Sequence, residues 1–80
     1  MKRLPKLSLL RAFEAAARLR SFTLAAQELN LTQSAISHQI KELEEHFERS
    51  LFVRKNRTVE PTLEGLRFQK SLQRVFGALG

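Results

Sequence analysis

Between Leu31 and Ile40 the sequence reads LTQSAISHQI, a stretch of short amides, hydroxyls and one imidazole inside a chain of formal charge +6. At helical spacing, Ser34, Ser37, His38, Lys41 and Glu45 lie opposite an apolar stripe of Ile36, Ile40, Leu43 and Phe47. The outward face therefore begins small and polar and becomes charged only later. Such a face suits the edges of base pairs: Gln33 can bridge adenine N6 and N7, while Thr32, Ser34 and Ser37 can pair with bases or phosphates. His38 can donate to a guanine acceptor or a phosphate. Lys41 is expected at a phosphate, with a salt bridge to Glu45 four residues on as the competing arrangement. A second group, Arg54, Lys55 and Arg57, is placed to lie along phosphates or to insert an arginine into a narrowed A·T-rich minor groove.

Other chemistries fail on spacing and composition. Ser37 and His38 are adjacent, so in a helix they diverge by about 100°. The acids are all Glu, so no Asp is present to orient the imidazole, and no catalytic role is expected. His38 and His46 would stand about 12 Å apart along a helix, too far to share one metal ion. With Cys 0, disulfides, thiol catalysis and thiolate zinc sites are all excluded. No metal or cofactor is expected.

The 80 residues accommodate one small domain, with 42% hydrophobic and 28% charged residues typical of a globular chain. No apolar run approaches the roughly 20 residues that span a bilayer, and no leader pattern follows the basic N-terminus, so a cytoplasmic protein with no membrane partner is expected. The 14 Lys+Arg outnumber the 8 acids. They cluster at Lys2, Arg3 and Lys6, at Arg54 to Arg57, and at Arg67, Lys70 and Arg74. Glu42, Glu44, Glu45 and Glu48 read as a solvated face, so the molecule should have a positive side suited to an anionic polymer.

The elements that would carry these groups follow from caps and periodicity. Pro5 ends an extended arm, and Ser8 is the expected N-cap of a first helix running to about Arg20. Ser21 or Thr23 caps a short second helix with Phe22, Ala25, Ala26 and Leu29 on one face. Asn30 stops it in a left-handed turn, and Thr32 caps the third. LFVRKNRTVEP then switches to a hairpin with Phe52 and Val59 inward, Arg54 to Arg57 as a basic turn, and Pro61 closing the second strand. Thr62 caps a fourth helix whose Phe68, Leu72, Val75 and Leu79 form one stripe. That stripe either folds back onto the domain or meets a partner. The expected class is mainly α: a winged helix-turn-helix of three helices and a two-stranded wing, then a fourth, amphipathic helix.

FTLAAQELNLTQSAISHQIKELE, followed by LFVRKNRTVEPTLEG, strongly resembles the N-terminal DNA-binding domain of LysR-type transcriptional regulators. RLPKLSLLRAFEAAARLRSFT looks most like the branch containing the glycine-cleavage activator and the chromosomal β-lactamase regulator. The resemblance implies a DNA-binding domain over 1–61, with its helix-turn-helix about 22–41 and wing about 51–61. Over 62–80 it implies a long linker helix that pairs in a homodimer through Phe68, Leu72, Val75, Phe76 and Leu79, often within a tetramer. It further implies double-stranded promoter DNA as partner, an interrupted dyad site, and a small-molecule effector bound by a C-terminal domain absent from this chain. Base-reading positions carry over to Gln33, Ser34, Ser37 and His38, with wing arginines at Arg54 and Arg57. His38 stands where the family more often has arginine, and this follows the branch.

Three features depart from the family pattern. Glu48 replaces the usual glycine after the recognition helix, which demands another cap or a left-handed Glu. Pro61 replaces an apolar residue and removes a strand donor, while Gly77 and Gly80 weaken the last turn of the fourth helix. Two rivals remain at this level: another winged-helix regulator, and a helical oligomerisation module whose charge serves an acidic protein.

Overall fold

The computed structural model describes residues 5–55 and 58–79, with side chains as far as Phe76. Along the chain the elements are α1 (Leu7–Leu19), α2 (Phe22–Leu29), α3 (Gln33–Phe47), β1 (Phe52–Lys55), β2 (Thr58–Pro61) and α4 (Leu63–Leu79). Ser21 Oγ accepts from Leu24 N at 3.0 Å, Thr32 Oγ1 from Ala35 N at 3.0 Å and Thr62 Oγ1 from Gly65 N at 3.1 Å, so three helices start on side-chain caps. The expected cap at Ser8 is corrected. Helix α1 begins at Leu7 with Lys6 at the cap position, and the Lys6 carbonyl already receives Leu9 N at 3.0 Å and Leu10 N at 3.3 Å. Leu9 is buried in phase with Phe13 and Ala16, which pulls the first turn ahead of Ser8.

Helices α1, α2 and α3 each end on a left-handed residue, Arg20 at φ 53°, Asn30 at φ 57° and Glu48 at φ 55°. Asparagine adopts this conformation readily. For Glu48 it costs about 1–2 kcal/mol, yet the geometry closes the helix: Glu48 N donates to Glu45 O at 3.2 Å and Arg49 N to Glu44 O at 3.1 Å. Of the two options open at this position, the left-handed Glu is the one realised. Glu48→Gly is expected to raise stability by about 0.5–1 kcal/mol, net of the extra freedom glycine gives the unfolded chain. Thermal melting reads this as a rise of several degrees, and an unchanged or lower midpoint contradicts it.

The core is organised by aromatic rings. Phe13 of α1 stands 5.2 Å from Phe52 of β1 and 5.0 Å from Phe68 of α4; Phe22 meets Phe52 at 5.6 Å and Phe47 meets Phe68 at 5.0 Å. This chain of rings ties all four helices to the wing, and Ala12, Ala15, Ala16, Ala25 and Ala26 let the first two helices close on it. The expected stripe on α3 is realised, with Ile36, Ile40 and Leu43 buried and Phe47 half-buried.

The stripe on α4 divides. Phe68 and Phe76 pack against the domain's own core and Leu72 is only 6% exposed, whereas Val75 on the same face is 53% exposed. Helix α4 therefore folds back on its own domain along Phe68, Leu72 and Phe76, and Val75 is left at the margin of that contact. Leu79 and the tip residues Asn56 and Arg57 lie outside the side chains described.

Candidate nucleic-acid interface

Helices α2 and α3 are set by one tight turn. Asn30 N donates to Gln27 O at 3.3 Å and Leu31 N reaches back to Ala26 O at 2.9 Å, after which Thr32 starts α3. In the last turn of α2, Glu28 meets Arg18 of α1, which also pairs with Glu14 at 2.8 Å. The guanidinium's hydrogen bond holds the Glu28 carboxyl below the usual carboxylate range. These groups are largely in solvent, so the pairing orients the two helices more than it stabilises them.

On this frame Gln33, Ser34, His38 and Lys41 are exposed and Ser37 is half-buried, all on the side of α3 away from the core. The Thr32 hydroxyl oxygen accepts from Ala35 N, which leaves its proton for an outside acceptor. Lys41 forms no ion pair with Glu45 among the described residues, so its ammonium is available to a phosphate. The first turn of α3 adds unsatisfied backbone N–H groups and the positive end of the helix dipole.

The wing is a two-stranded antiparallel ribbon with Phe52 opposite Pro61, Val53 opposite Glu60, Arg54 opposite Val59 and Lys55 opposite Thr58. Arg54 and Lys55 thus belong to β1 rather than to the turn, which corrects the expected basic turn over residues 54–57. Strand alternation separates them. Lys55 Nζ lies 3.4 Å from Glu60, which also approaches Arg20 at 3.9 Å. Arg54, still exposed, turns toward the helices, its Nη2 donating to Ser37 Oγ at 2.7 Å and its Cζ lying 5.0 Å from the centroid of Phe22. Arg57, the remaining expected wing contact, lies outside the described residues.

Two positioning residues escaped the sequence reading. Glu44 is not part of a solvated face: its Oε2 accepts from Leu51 N at 2.7 Å and Phe52 N at 3.2 Å, and so pins the start of the wing to α3. Gly65 in the first turn of α4 packs against the Leu51 carbonyl, which itself accepts from Thr62 N at 2.9 Å. Thr62 Oγ1 also donates to Ser50 O at 2.7 Å. No periodic signal marks Glu44, because its partners lie across a turn. Among the described residues no group of His, Cys, Asp or Glu could hold a metal, and no helix is long and apolar enough to cross a membrane.

Residues 7–66 match the model of the family described as bacterial regulatory helix-turn-helix protein, lysR family. The glycine cleavage system transcriptional activator of Escherichia coli (strain K12) is 50% identical over 78 residues, covering 98% of this chain and 26% of that protein. The HTH-type transcriptional activator AmpR of Providencia stuartii is 51% identical over 74 residues, covering 92% and 25% respectively. The chain thus spans about a quarter of the length of these curated relatives. Among solved structures, a BenM_DBD/catB site 1 DNA complex superposes with TM-score 0.86 at 35% identity, covering 92% of this chain and 82% of that one. A CbnR_DBD–DNA complex gives TM-score 0.85 at 28% identity, covering 94% and 86%.

Proposed function

This chain belongs to the LysR family of bacterial regulatory helix-turn-helix proteins, and we propose that it binds double-stranded promoter DNA sequence-specifically, as the DNA-binding part of a cytoplasmic transcriptional regulator. The observation that carries this reading is the exposed polar face of α3, with Gln33, Ser34, His38 and Lys41 outward on a helix fixed by the Asn30 turn and the Thr32 cap. Solved structures with a similar backbone are in complex with DNA, which supports it. Helix α3 enters the major groove, where an α-helix fits and short side chains allow close approach. Lys41, Lys55 and Arg57 meet phosphates, with the wing at the minor groove.

The active species is a homodimer on an interrupted dyad site, with residues 1–61 as the reading domain and 62–80 as linker. Val75, exposed at the margin of α4's contact with its own domain, and Leu79 are the contacts for a partner helix, while Phe68, Leu72 and Phe76 brace α4 from beneath. In the full-length regulator a C-terminal domain takes the small-molecule effector, and dimers pair into a tetramer.

A salt titration tests the core of the proposal. Affinity for a duplex selected from a random pool is expected to fall steeply with salt and to exceed that for a scrambled duplex by about 10³-fold or more. Salt-insensitive or absent binding by the folded chain favours the oligomerisation module instead. Gln33→Ala is expected to cost about 1–3 kcal/mol on the selected duplex and to relax preference at one base pair. If the selected bases are unchanged, Gln33 is no reader.

A further inference from the structure

Arg54 is held as a wing charge swinging freely in solvent would not be. Its neighbour across the ladder is buried Val59 and it shares a strand face with buried Phe52, so β1 aims it at the helices. One end of the guanidinium is bonded to Ser37 Oγ at 2.7 Å, and its Cζ lies 5.0 Å from the centre of the Phe22 ring. Phe22 is itself buried and meets Phe52 edge-on at 5.6 Å, so the platform beneath Arg54 is continuous with the core. A cation stacked on a ring and tied at one edge keeps a defined orientation.

The chemistry of the Ser37 and Arg54 pair runs in one direction. A guanidinium offers donors and no acceptor, whereas a serine hydroxyl can do either. Ser37 must therefore accept from Arg54, and the positive charge turns the hydroxyl proton away from it. Ser37 lies on the side of α3 that carries Ser34, His38 and Lys41, away from the buried Ile36 and Ile40. The hydroxyl is thus offered outward as a donor. In the major groove, guanine N7 and O6, adenine N7 and thymine O4 can receive it, while the amino group of cytosine cannot.

Resting on the proposal that α3 reads the major groove, we infer that Arg54 is a positioning residue for base recognition: by donating to Ser37 Oγ it fixes that hydroxyl as a hydrogen-bond donor and sets a preference for an acceptor-bearing base edge opposite Ser37. The unused N–H groups of the same guanidinium are left for the adjoining phosphate, so one side chain couples the backbone's position to the reading of a base. Lysine at this position keeps the charge but loses the planar fork and the stacking that hold Ser37.

The test compares this chain with Arg54→Lys, Ser37→Ala and the double variant, using duplexes selected from a random pool, binding across a salt series and circular dichroism to verify folding. The expected result is that Arg54→Lys and Ser37→Ala lose preference at the same base pair, each by about tenfold, and that the double variant loses no more than either. The salt dependence of Arg54→Lys should match that of the parent, because the charge is retained. Should lysine impair folding, Arg54→Gln carries the test: a neutral amide that can also accept no longer dictates the hydroxyl's direction, and cytosine should then be admitted at that base pair.

The inference is overturned if Arg54→Lys weakens all duplexes equally with base preference intact, since Arg54 would then be a phosphate contact alone. It is overturned equally if the two variants act at different base pairs or their losses multiply in the double. A parent that binds DNA but selects no sequence refutes sequence reading by α3, and a parent that binds none refutes the proposed function. Those failures are separable from a parent that selects normally while Arg54→Lys selects the same bases.

Discussion

Gly65→Ala is expected to cost about 3 kcal/mol or more, lowering the melting midpoint by roughly 15 °C in a domain of this size. A Cβ at this position would stand 2.2 Å from the Leu51 carbonyl oxygen, 3.2 Å from its carbon and 3.2 Å from Pro61 Cβ. The oxygen it meets is backbone, and that backbone has little freedom to move. Leu51 O accepts from Thr62 N at 2.9 Å, and Leu51 N is held by Glu44 at 2.7 Å. From the other side, Gly65 N is bonded to Thr62 Oγ1, which also holds Ser50 O. Relief therefore requires α4 to lift from the wing, which breaks the Thr62 bonds and draws Phe68 out of contact with Phe13 and Phe47. Gly65→Ser should behave alike, because the clash is with the first side-chain atom. A Gly65→Ala protein that melts within a few degrees of the parent would show that the contact yields cheaply.

What could be read from the sequence is what depends on near neighbours. The caps at Ser21, Thr32 and Thr62 each join a hydroxyl to an amide three residues on, and the left-handed stop at Asn30 rests on asparagine's own tolerance of positive φ. The α3 stripe is legible because periodicity alone decides which face is buried. Glu44 was hidden for the opposite reason. Its partners are seven and eight residues away across a change of direction, and on the helix it sits among glutamates that look alike. Arg54 is intermediate: two residues after buried Phe52, strand alternation already points it inward, but its charge and the neighbouring Lys55 suggested the tip of a turn. The α4 stripe could not be divided from sequence, since Phe68 and Val75 belong to one stripe and only the packing of the rest of the domain, which follows Leu72 and Phe76, leaves Val75 uncovered.

Glu44→Ala is expected to destabilise the domain by about 2–4 kcal/mol and to weaken specific DNA binding beyond the loss of folded protein. Two amides, Leu51 N and Phe52 N, converge on one carboxylate oxygen in a partly buried site. Leaving a buried donor without a partner costs about 1–3 kcal/mol each, and a charged acceptor makes the lost bonds stronger than average. The helix dipole argues the other way, because a glutamate in the last turns of α3 faces the negative end and its removal should gain about 0.3–1 kcal/mol. The sign of the change therefore decides between the two. Glu44→Gln keeps an acceptor while losing the charge, and should cost only about 1 kcal/mol. The binding consequence follows from position: the same carboxylate sets where β1 begins, and β1 carries Arg54 to Ser37. Denaturant unfolding gives the stability, and binding measured well below the melting midpoint separates wing placement from unfolding. If Glu44→Ala is as stable as the parent, the dipole dominates and the carboxylate does not anchor the wing. If it is less stable yet binds the selected duplex normally once folded, then β1 finds its place without this residue.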